Sequence, residues 1–216
     1  MKNTTKRTEL PRFHIGVVAI ISALFILFLF LANLVKKGDP IKIDTVLRNI
    51  FVLEEQSFLF TIFKGIAWFG STTGIITLLF IMVVLLIWKY RDYKGAIVFV
   101  VMVMLTNFLS KALKALFQRE RPIIPLDELD YSFPSSGAFI SLVAYGLATY
   151  LLTRNRTKLK EKYLISIVGV TLIILIGISR VALSAHYPTD VIAGHTLGAI
   201  FLILSIYLYR WWLKTN

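Results

Sequence analysis

Six long apolar segments dominate the sequence and restrict the folds that are open to it. They span residues 14–35, 71–88, 95–117, 134–152, 163–183 and 188–209. Each is about 18 to 23 residues long, enough to cross roughly 30 Å of hydrocarbon as an α-helix. Hydrophobic residues make up 57% of the chain, more than soluble domains usually carry. The sequence therefore predicts an all-α integral membrane bundle of six transmembrane helices, with residues 1–216 forming a single membrane domain.

The charges predict how these spans are oriented. With the N-terminus in the cytoplasm, the cytoplasmic ends and connections carry basic residues: Lys2, Lys6, Arg7, Arg12, Lys89, Arg91, Lys94, Arg154, Arg156, Lys158, Lys160, Lys162, Arg210 and Lys214. The opposite connections mix basic residues with eight acids: Asp39, Asp44, Glu54, Glu55, Glu120, Asp127, Glu128 and Asp130. The positive-inside rule then predicts a multi-pass protein of the cell membrane with both termini cytoplasmic. Because the basic residues lie in separate connections, the net charge of +12 does not indicate a nucleic-acid partner.

The first connection is neither a span nor a polar linker. Ile41, Val46, Leu47, Ile50 and Phe51 recur at helical spacing, as do the apolar residues of 58–68. This predicts two short helices lying in the outer membrane interface. The preceding span has a basic flank, as a signal peptide does, but its length and the following Lys36 and Lys37 favour a retained anchor. There is no cysteine, so disulfides and thiolate metal sites are excluded.

Lys114 and Arg121 are the first of three groups with unusual chemistry. If the third span remained helical, they would lie about 10.5 Å apart along one face, and both could converge on one anion. Snorkelling to the interface is the alternative. It explains Lys111 well but explains Lys114 and Arg180 poorly, since ionisable residues at that depth are costly and usually functional.

Pro134, Ser135, Ser136 and Gly137 form the second group. Pro134 can occupy the first turn of a helix, so that the free N–H groups near the next three residues point outward, where helix termini bind anions. The Ser135 hydroxyl would add a donor. A helix start that is simply capped by serine is the common alternative.

The third group is Ser179-Arg180, then His186, then Asp190. Asp190 lies one turn beyond His186 and could accept a hydrogen bond from one ring nitrogen. That bond would fix the tautomer and leave the other nitrogen as a nucleophile toward phosphorus.

Together these groups resemble the signature of the type 2 phosphatidic acid phosphatase family, which reads KxxxxxxRP, PSGH and SRxxxxxHxxxD. The first and third motifs match at every specified position. The resemblance implies a membrane phosphatase that needs no metal and no cofactor. On the predicted topology, the connections 118–133 and 184–187 that hold most of these groups emerge on the extracytoplasmic face. The resemblance also implies that Lys114, Arg121, Ser135 and Arg180, with Ser136 and Gly137, hold the substrate phosphate. His186 would attack to form a phosphohistidine, and Asp190 would orient it.

The second motif departs from the family at its last two positions, where Ser136 and Gly137 replace Gly and His. In the family that histidine protonates the leaving group, and loss of a general acid typically costs about 10² to 10⁴ in rate. His195 is a poor substitute, because nine residues place it about 180° around the helix from His186 and roughly 13 Å deeper.

Two functions remain open from the sequence. One is an enzyme whose substrate has a good leaving group. Undecaprenyl diphosphate would expel a phosphate monoester, whose second pKa is about 6, so the leaving group needs little protonation. Phosphatidate and phosphatidylglycerophosphate are alternative substrates. The other function is a lipid-phosphate binder or regulatory relative with impaired catalysis, and non-native residues at 136 and 137 would be a further explanation. A transporter is disfavoured, because the polar groups gather at one membrane face.

Overall fold

The computed structural model describes residues 12–38, 41–122 and 131–215, with side chains from residue 15 onward. Its helices are α1 (Arg12–Lys36), α2 (Lys42–Phe51), α3 (Phe58–Phe69), α4 (Thr72–Val84, continued by a π-helical turn at Leu85–Lys89), α5 (Tyr93–Phe117), α6 (Ser136–Thr153), α7 (Leu159–Ala182) and α8 (Pro188–Lys214). The acids at 39, 127, 128 and 130 and the basic residues at 2, 6 and 7, which the topology prediction used, lie outside the described residues.

Six helices are long and apolar enough to cross a membrane, namely α1, α4 with its π-helical turn, α5, α6, α7 and α8. They coincide with the six predicted spans, so the all-α membrane fold is confirmed, and the described residues contain no β-strand. Helix α6 packs against α5, α7 and α8, while α1 packs against α8 and α5. The core between them is apolar and includes Phe99, Phe139 and Leu147, each fully buried.

The first connection forms two short helices, α2 and α3, as the sequence predicts. Helix α2 packs against α7 and α8, and α3 packs against α7. Although α2 is exposed along much of its length, Asp44 on its first turn is 3% exposed. Helix α2 therefore contributes a buried carboxylate to the bundle, in addition to lying along its surface.

Two local predictions are wrong, and both concern helix ends. Helix α5 ends at Phe117, because Gln118 adopts a left-handed conformation with φ of 49° and terminates it. Arg121 is therefore beyond the helix rather than two turns along it from Lys114. Helix α6 begins at Ser136 with Ser135 as its N-cap, so Pro134 precedes the helix instead of occupying its first turn, and the Phe133–Pro134 peptide is cis.

Three aromatic rings hold the segment that leads into α6. Phe133 is fully buried and stacks on Phe28 with the ring centroids 6.0 Å apart. It also meets Phe117, at the end of α5, edge to face at 4.9 Å. Such pairs prefer these geometries and stabilise beyond their buried area. The start of α6 is thereby fixed against α1 and α5, which positions Ser136 and Gly137.

Candidate active site

A cavity of about 840 Å³ opens at the end of the bundle where α4 and α6 begin and α5 and α7 end. Its polar wall contains Lys111, Lys114, Arg121, Ser136, Gly137, Arg180 and His186. Its apolar wall comes from α4, α5 and α6 through Ile75, Ile76, Leu79, Val103, Met104 and Ile140. None of the described residues lining it is acidic. A cationic end therefore adjoins a surface suited to a hydrocarbon chain.

Three predicted phosphate-binding cations meet at the polar end although they come from separate elements. Lys114 lies on the last turn of α5 and is 3% exposed. Arg121 donates from Nη1 to the carbonyl of Ala185 at 3.1 Å, which brings it beside His186. Arg180, on the last turn of α7, donates from Nη2 to the carbonyl of Ala67 in α3 at 3.0 Å. These backbone acceptors hold both guanidinium groups against the cavity, and guanidinium groups are well suited to bind an anion such as phosphate.

His186 lies in the turn between α7 and α8 and is 3% exposed. Its Nδ1 is 2.9 Å from the carbonyl oxygen of Ser132, whereas the nearest Asp190 oxygen, Oδ2, is 3.7 Å away. The predicted direct hydrogen bond from His186 to Asp190 is therefore replaced by one to the Ser132 carbonyl, since 3.7 Å is too long. Because a carbonyl only accepts, Nδ1 carries the proton and Nε2 holds the free lone pair.

Burial lowers the pKa of His186 below its usual 6.5, and the nearby cations Arg121 and Lys114 act in the same direction. Asp190 opposes them but does not outweigh burial. The ring is thus kept neutral, which is the form that can act as a nucleophile.

Asp190 is fully buried behind His186 rather than in the cavity wall. Its Oδ2 accepts from the backbone N–H of Tyr187 at 2.9 Å. Its Oδ1 accepts from Nη1 of Arg119 at 2.5 Å. The carboxylate is accordingly held in place by two donors while it faces the imidazole.

The second motif reaches the cavity through its last two residues. Ser136 and Gly137 line the cavity as the first two residues of α6, where helical N–H groups have no acceptor within the helix. Ser110 of α5 donates to the Ser136 hydroxyl at 2.7 Å. Ser135 is fully buried and does not line the cavity; its Oγ accepts from Ala138 N–H, and its own N–H donates to the carbonyl of Asp190 at 3.0 Å. The structure therefore does not bring the Ser135 hydroxyl to the predicted phosphate site.

Gly137 leaves room for Arg180. A Cβ at position 137 would overlap Nε of Arg180 and lie 2.8 Å from its Cζ. The absence of a side chain at 137 thus allows the guanidinium to approach the start of α6 closely. His195 does not line this cavity, because it lies against Gly177 of α7, in a separate apolar pocket.

Sequence reasoning missed four residues of this end of the bundle. Lys111, assigned to snorkelling, lines the cavity. Ser132 supplies the acceptor for His186, and no sequence signal marks a backbone carbonyl. Asp44 and Arg119 contact the first turn of α8. Asp44 could have been found, because it lies on the same helical face as Leu47 and Phe51, where a charge is costly.

Potential metal-ligating side chains do not cluster in the part of the chain that the structure describes. Across residues 12–38, 41–122 and 131–215, no three His, Asp or Glu side chains are grouped so that they could hold an ion.

Comparison with known proteins gives a consistent family assignment. A model described as the PAP2 superfamily matches residues 95–214. Phosphatidylglycerophosphatase B of Bacillus subtilis (strain 168) is 29% identical over 185 residues, covering 84% of this chain and 91% of that protein. An undecaprenyl-diphosphatase of Sulfolobus acidocaldarius is 32% identical over 130 residues, covering 56% of this chain and 58% of that protein.

Two solved structures share the fold. One is the transmembrane PAP2-type phosphatidylglycerolphosphate phosphatase from Bacillus subtilis, with a TM-score of 0.75 and 28% identity over 91% of this chain and 97% of that chain. The other is Aquifex aeolicus LpxE, with a TM-score of 0.59 and 25% identity over 76% of this chain and 94% of that chain.

Proposed function

Because the chain belongs to the PAP2 superfamily, we propose that this membrane lipid phosphatase prefers an isoprenoid diphosphate and cleaves it through a phosphohistidine at His186. The observation that carries the proposal is the cavity in which four cations and His186 adjoin an apolar wall. A phosphate headgroup fits the cationic end, and the chain of a lipid fits the wall formed by α4, α5 and α6. The whole chain, 1–216, acts as one membrane domain.

The proposed reaction begins with attack by Nε2 of His186 on the terminal phosphorus. The proton on Nδ1 stays on the ring, held by the Ser132 carbonyl. The bond from phosphorus to the bridging oxygen breaks, and its electron pair leaves with the prenyl phosphate. Water then attacks the phosphohistidine, the P–N bond breaks, and inorganic phosphate departs. Lys114, Arg121 and Arg180 offset the charge on the transferred phosphoryl group.

The preference for a diphosphate rests on Gly137 and Lys111. Gly137 has no side chain that could protonate a leaving group, so a substrate whose leaving group is already stable as an anion is favoured. Lys111 lies one turn before Lys114 on the same cavity wall, where its charge can offset that of the departing phosphate. A simple phosphomonoester would expel an alkoxide and would gain little from Lys111.

Phosphatidylglycerophosphate is the second candidate substrate. The relative named phosphatidylglycerophosphatase B matches over 91% of its own length, whereas the undecaprenyl-diphosphatase matches over 58%. The longer match favours phosphatidylglycerophosphate, so the proposed preference for a diphosphate must be tested directly against it. Phosphatidate, with a similar phosphomonoester, belongs in the same comparison.

A lipid-phosphate binder with impaired catalysis is the second candidate function. It is favoured by Arg180, whose guanidinium fills the space beside Gly137 and strengthens anion binding where a general acid would act. Such a protein would hold lipid phosphates without releasing phosphate from them.

Phosphate release by the purified protein in detergent separates these functions. The substrates are undecaprenyl diphosphate, undecaprenyl phosphate, phosphatidylglycerophosphate and phosphatidate, each with and without vanadate, with His186→Ala as the control. Fastest release from the diphosphate, lost in His186→Ala, is expected. Release that persists in His186→Ala would refute the nucleophile. Release from none of the four, with retained lipid binding, would favour the binder.

We also propose that this end of the bundle faces the extracytoplasmic side and that both termini are cytoplasmic. The opposite end carries Arg91, Arg154, Arg210 and Lys214 around one pocket, as the positive-inside rule favours for a cytoplasmic surface.

A further inference from the structure

Asp44, Arg119 and Asp190 form a buried charged cluster behind His186. Arg119 is 15% exposed in its side chain and bridges the two carboxylates, with Nη2 2.7 Å from Asp44 Oδ2 and Nη1 2.5 Å from Asp190 Oδ1. The two acids are 5% and 0% exposed in their side chains. Three elements distant in sequence therefore meet here: α2, the segment after α5, and α8.

Thr189 ties the cluster to the start of α8. Its N–H donates to Asp44 Oδ1 at 2.8 Å, and its hydroxyl donates to Asp44 Oδ2 at 2.8 Å. The hydroxyl also accepts from Nη1 of Arg119 at 2.9 Å. The Arg119 guanidinium covers the Tyr187 ring, 4.0 Å from its centroid. Residues on both sides of Pro188 are thus fixed, and so is the turn that carries His186.

Resting on the proposed function, we infer that Asp44 and Arg119 are positioning residues of the reaction. With Asp190 they form a cluster of net charge −1 that orients His186 and stabilises the positive charge the ring acquires in the phosphohistidine. Asp190 alone carries the same net charge. The positive charge of Arg119 offsets the negative charge of Asp44, so the charge of Asp190 is not cancelled. The net charge of the cluster is set by all three residues together.

The net charge of the cluster matters because, among the described residues, the other charges that line the cavity with His186 are positive. Lys114 and Arg121 come from α5 and the segment after it, and Arg180 comes from α7 across the same cavity. When Nε2 bonds to phosphorus, the ring keeps its Nδ1 proton and becomes cationic. The cluster behind Nδ1 is then the nearby negative charge within the protein's described residues, and the Ser132 carbonyl is the direct acceptor. In buried surroundings such charge interactions are strong.

Removing one charge at a time gives shifts of opposite sign. Asp44→Asn keeps the shape of the side chain but takes the cluster to zero, so the neutral imidazole is favoured. In Asp44→Asn, the fall of kcat at acid pH, called the acid limb here, should move to lower pH by about half a unit or more. Its kcat should also fall about tenfold. Arg119→Gln takes the cluster to −2, so the acid limb should move to higher pH. Arg119→Lys restores the charge and should leave the limb near that of the wild type.

The matched control is Glu120→Gln, which removes an exposed carboxylate next to Arg119 in sequence but outside the cluster. It should change neither kcat nor the acid limb. Because phosphate contacts are intact in all four variants, KM should change less than about twofold. A purely structural role would lower thermal stability and activity without opposite shifts of the limb.

The same shifts can be read without turnover. NMR of protein in detergent, with isotope-labelled histidine side chains, follows the titration of His186. The signals of the other two histidines are assigned with the variants His14→Gln and His195→Gln. A lower His186 pKa in Asp44→Asn and a higher one in Arg119→Gln would support the cluster. Shifts in the same direction, or none, would overturn it. If Arg119→Gln does not fold, the His186 pKa values of Asp44→Asn and Arg119→Lys are compared instead. A lower value in Asp44→Asn only would support the cluster, and equal values would overturn it. If the wild type releases no phosphate, the proposed function fails while the NMR result still tests the cluster.

Discussion

The guanidinium of Arg180 occupies the space next to Gly137 that a side chain at position 137 would need. The two residues come from the last turn of α7 and the first turn of α6. A glycine here therefore offers no side chain that could donate a proton, and it lets the Arg180 guanidinium approach the start of α6. The missing side chain at 137 and the closeness of Arg180 are linked by geometry.

Adding a side chain at position 137 should weaken phosphate binding. Gly137→Ala introduces a Cβ that overlaps Nε of Arg180, so the guanidinium must move. We expect KM to rise severalfold for every lipid substrate, with a smaller change in kcat. Steady-state kinetics on undecaprenyl diphosphate and undecaprenyl phosphate measure both constants. An unchanged KM would show that Arg180 can shift without loss.

Gly137→His is best compared with Gly137→Ala, because both displace Arg180. If histidine adds a general acid, kcat of the His variant should exceed that of the Ala variant for undecaprenyl phosphate by about tenfold or more. For the diphosphate the two should be closer. Equal ratios for both substrates would contradict the argument from the leaving group.

The pH dependence of turnover should report the neutral form of His186. Burial lowers its pKa below 6.5, so the ring stays deprotonated at Nε2 until the pH falls below that value. We expect the rate to hold above pH 6.5 and to fall as the pH drops through the lowered pKa. The profile of kcat between pH 4.5 and 8.5 measures this. A midpoint above 6.5 would contradict a buried neutral nucleophile.

Lys111→Gln should discriminate between substrates. If Lys111 offsets the charge of the departing phosphate, its loss should lower kcat/KM for undecaprenyl diphosphate about tenfold and for undecaprenyl phosphate less than about threefold. Lys64→Gln, an exposed lysine on α3, is the matched control. Equal losses on both substrates would assign Lys111 to general attraction of anions.

The orientation can be tested by labelling, because the chain has no cysteine of its own. Glu55→Cys lies between α2 and α3 at the end that holds the cavity, and Asn155→Cys lies between α6 and α7 at the other end; both are exposed. A membrane-impermeant maleimide should label the first variant in intact cells and the second only after lysis. The reverse pattern would invert the proposed topology.

Much of the fold followed from the sequence because hydropathy and length decide it. All six spans were predicted, and their ends differ from the helices by a few residues. The end of α5 was missed because Gln118 gives no glycine signal for a left-handed cap. The start of α6 was misplaced because Pro134 suits a first turn, and which residue caps depends on packing around Phe133.

The candidate site was predictable in its charges but not in its contacts. Motif spacing grouped Lys114, Arg121, Arg180 and His186, and the structure places all four around one cavity. The partner of His186 was not predictable, because the Ser132 carbonyl acts through its backbone. Arg119 pairs with acids 75 and 71 residues away along the chain, and no local pattern reveals such distant pairing.

The contact between Asp44 and Thr189 also has a consequence for biosynthesis. Asp44 lies in the connection after α1, whereas Thr189 lies on α8, which is synthesised after the other five described spans. If Asp44 positions His186 as we infer, that orientation is completed only when α8 packs against α2, a helix made long before it. A nascent chain in which only the first five spans have been inserted already carries Lys114, Arg121 and Arg180, but it lacks the contact between α2 and α8.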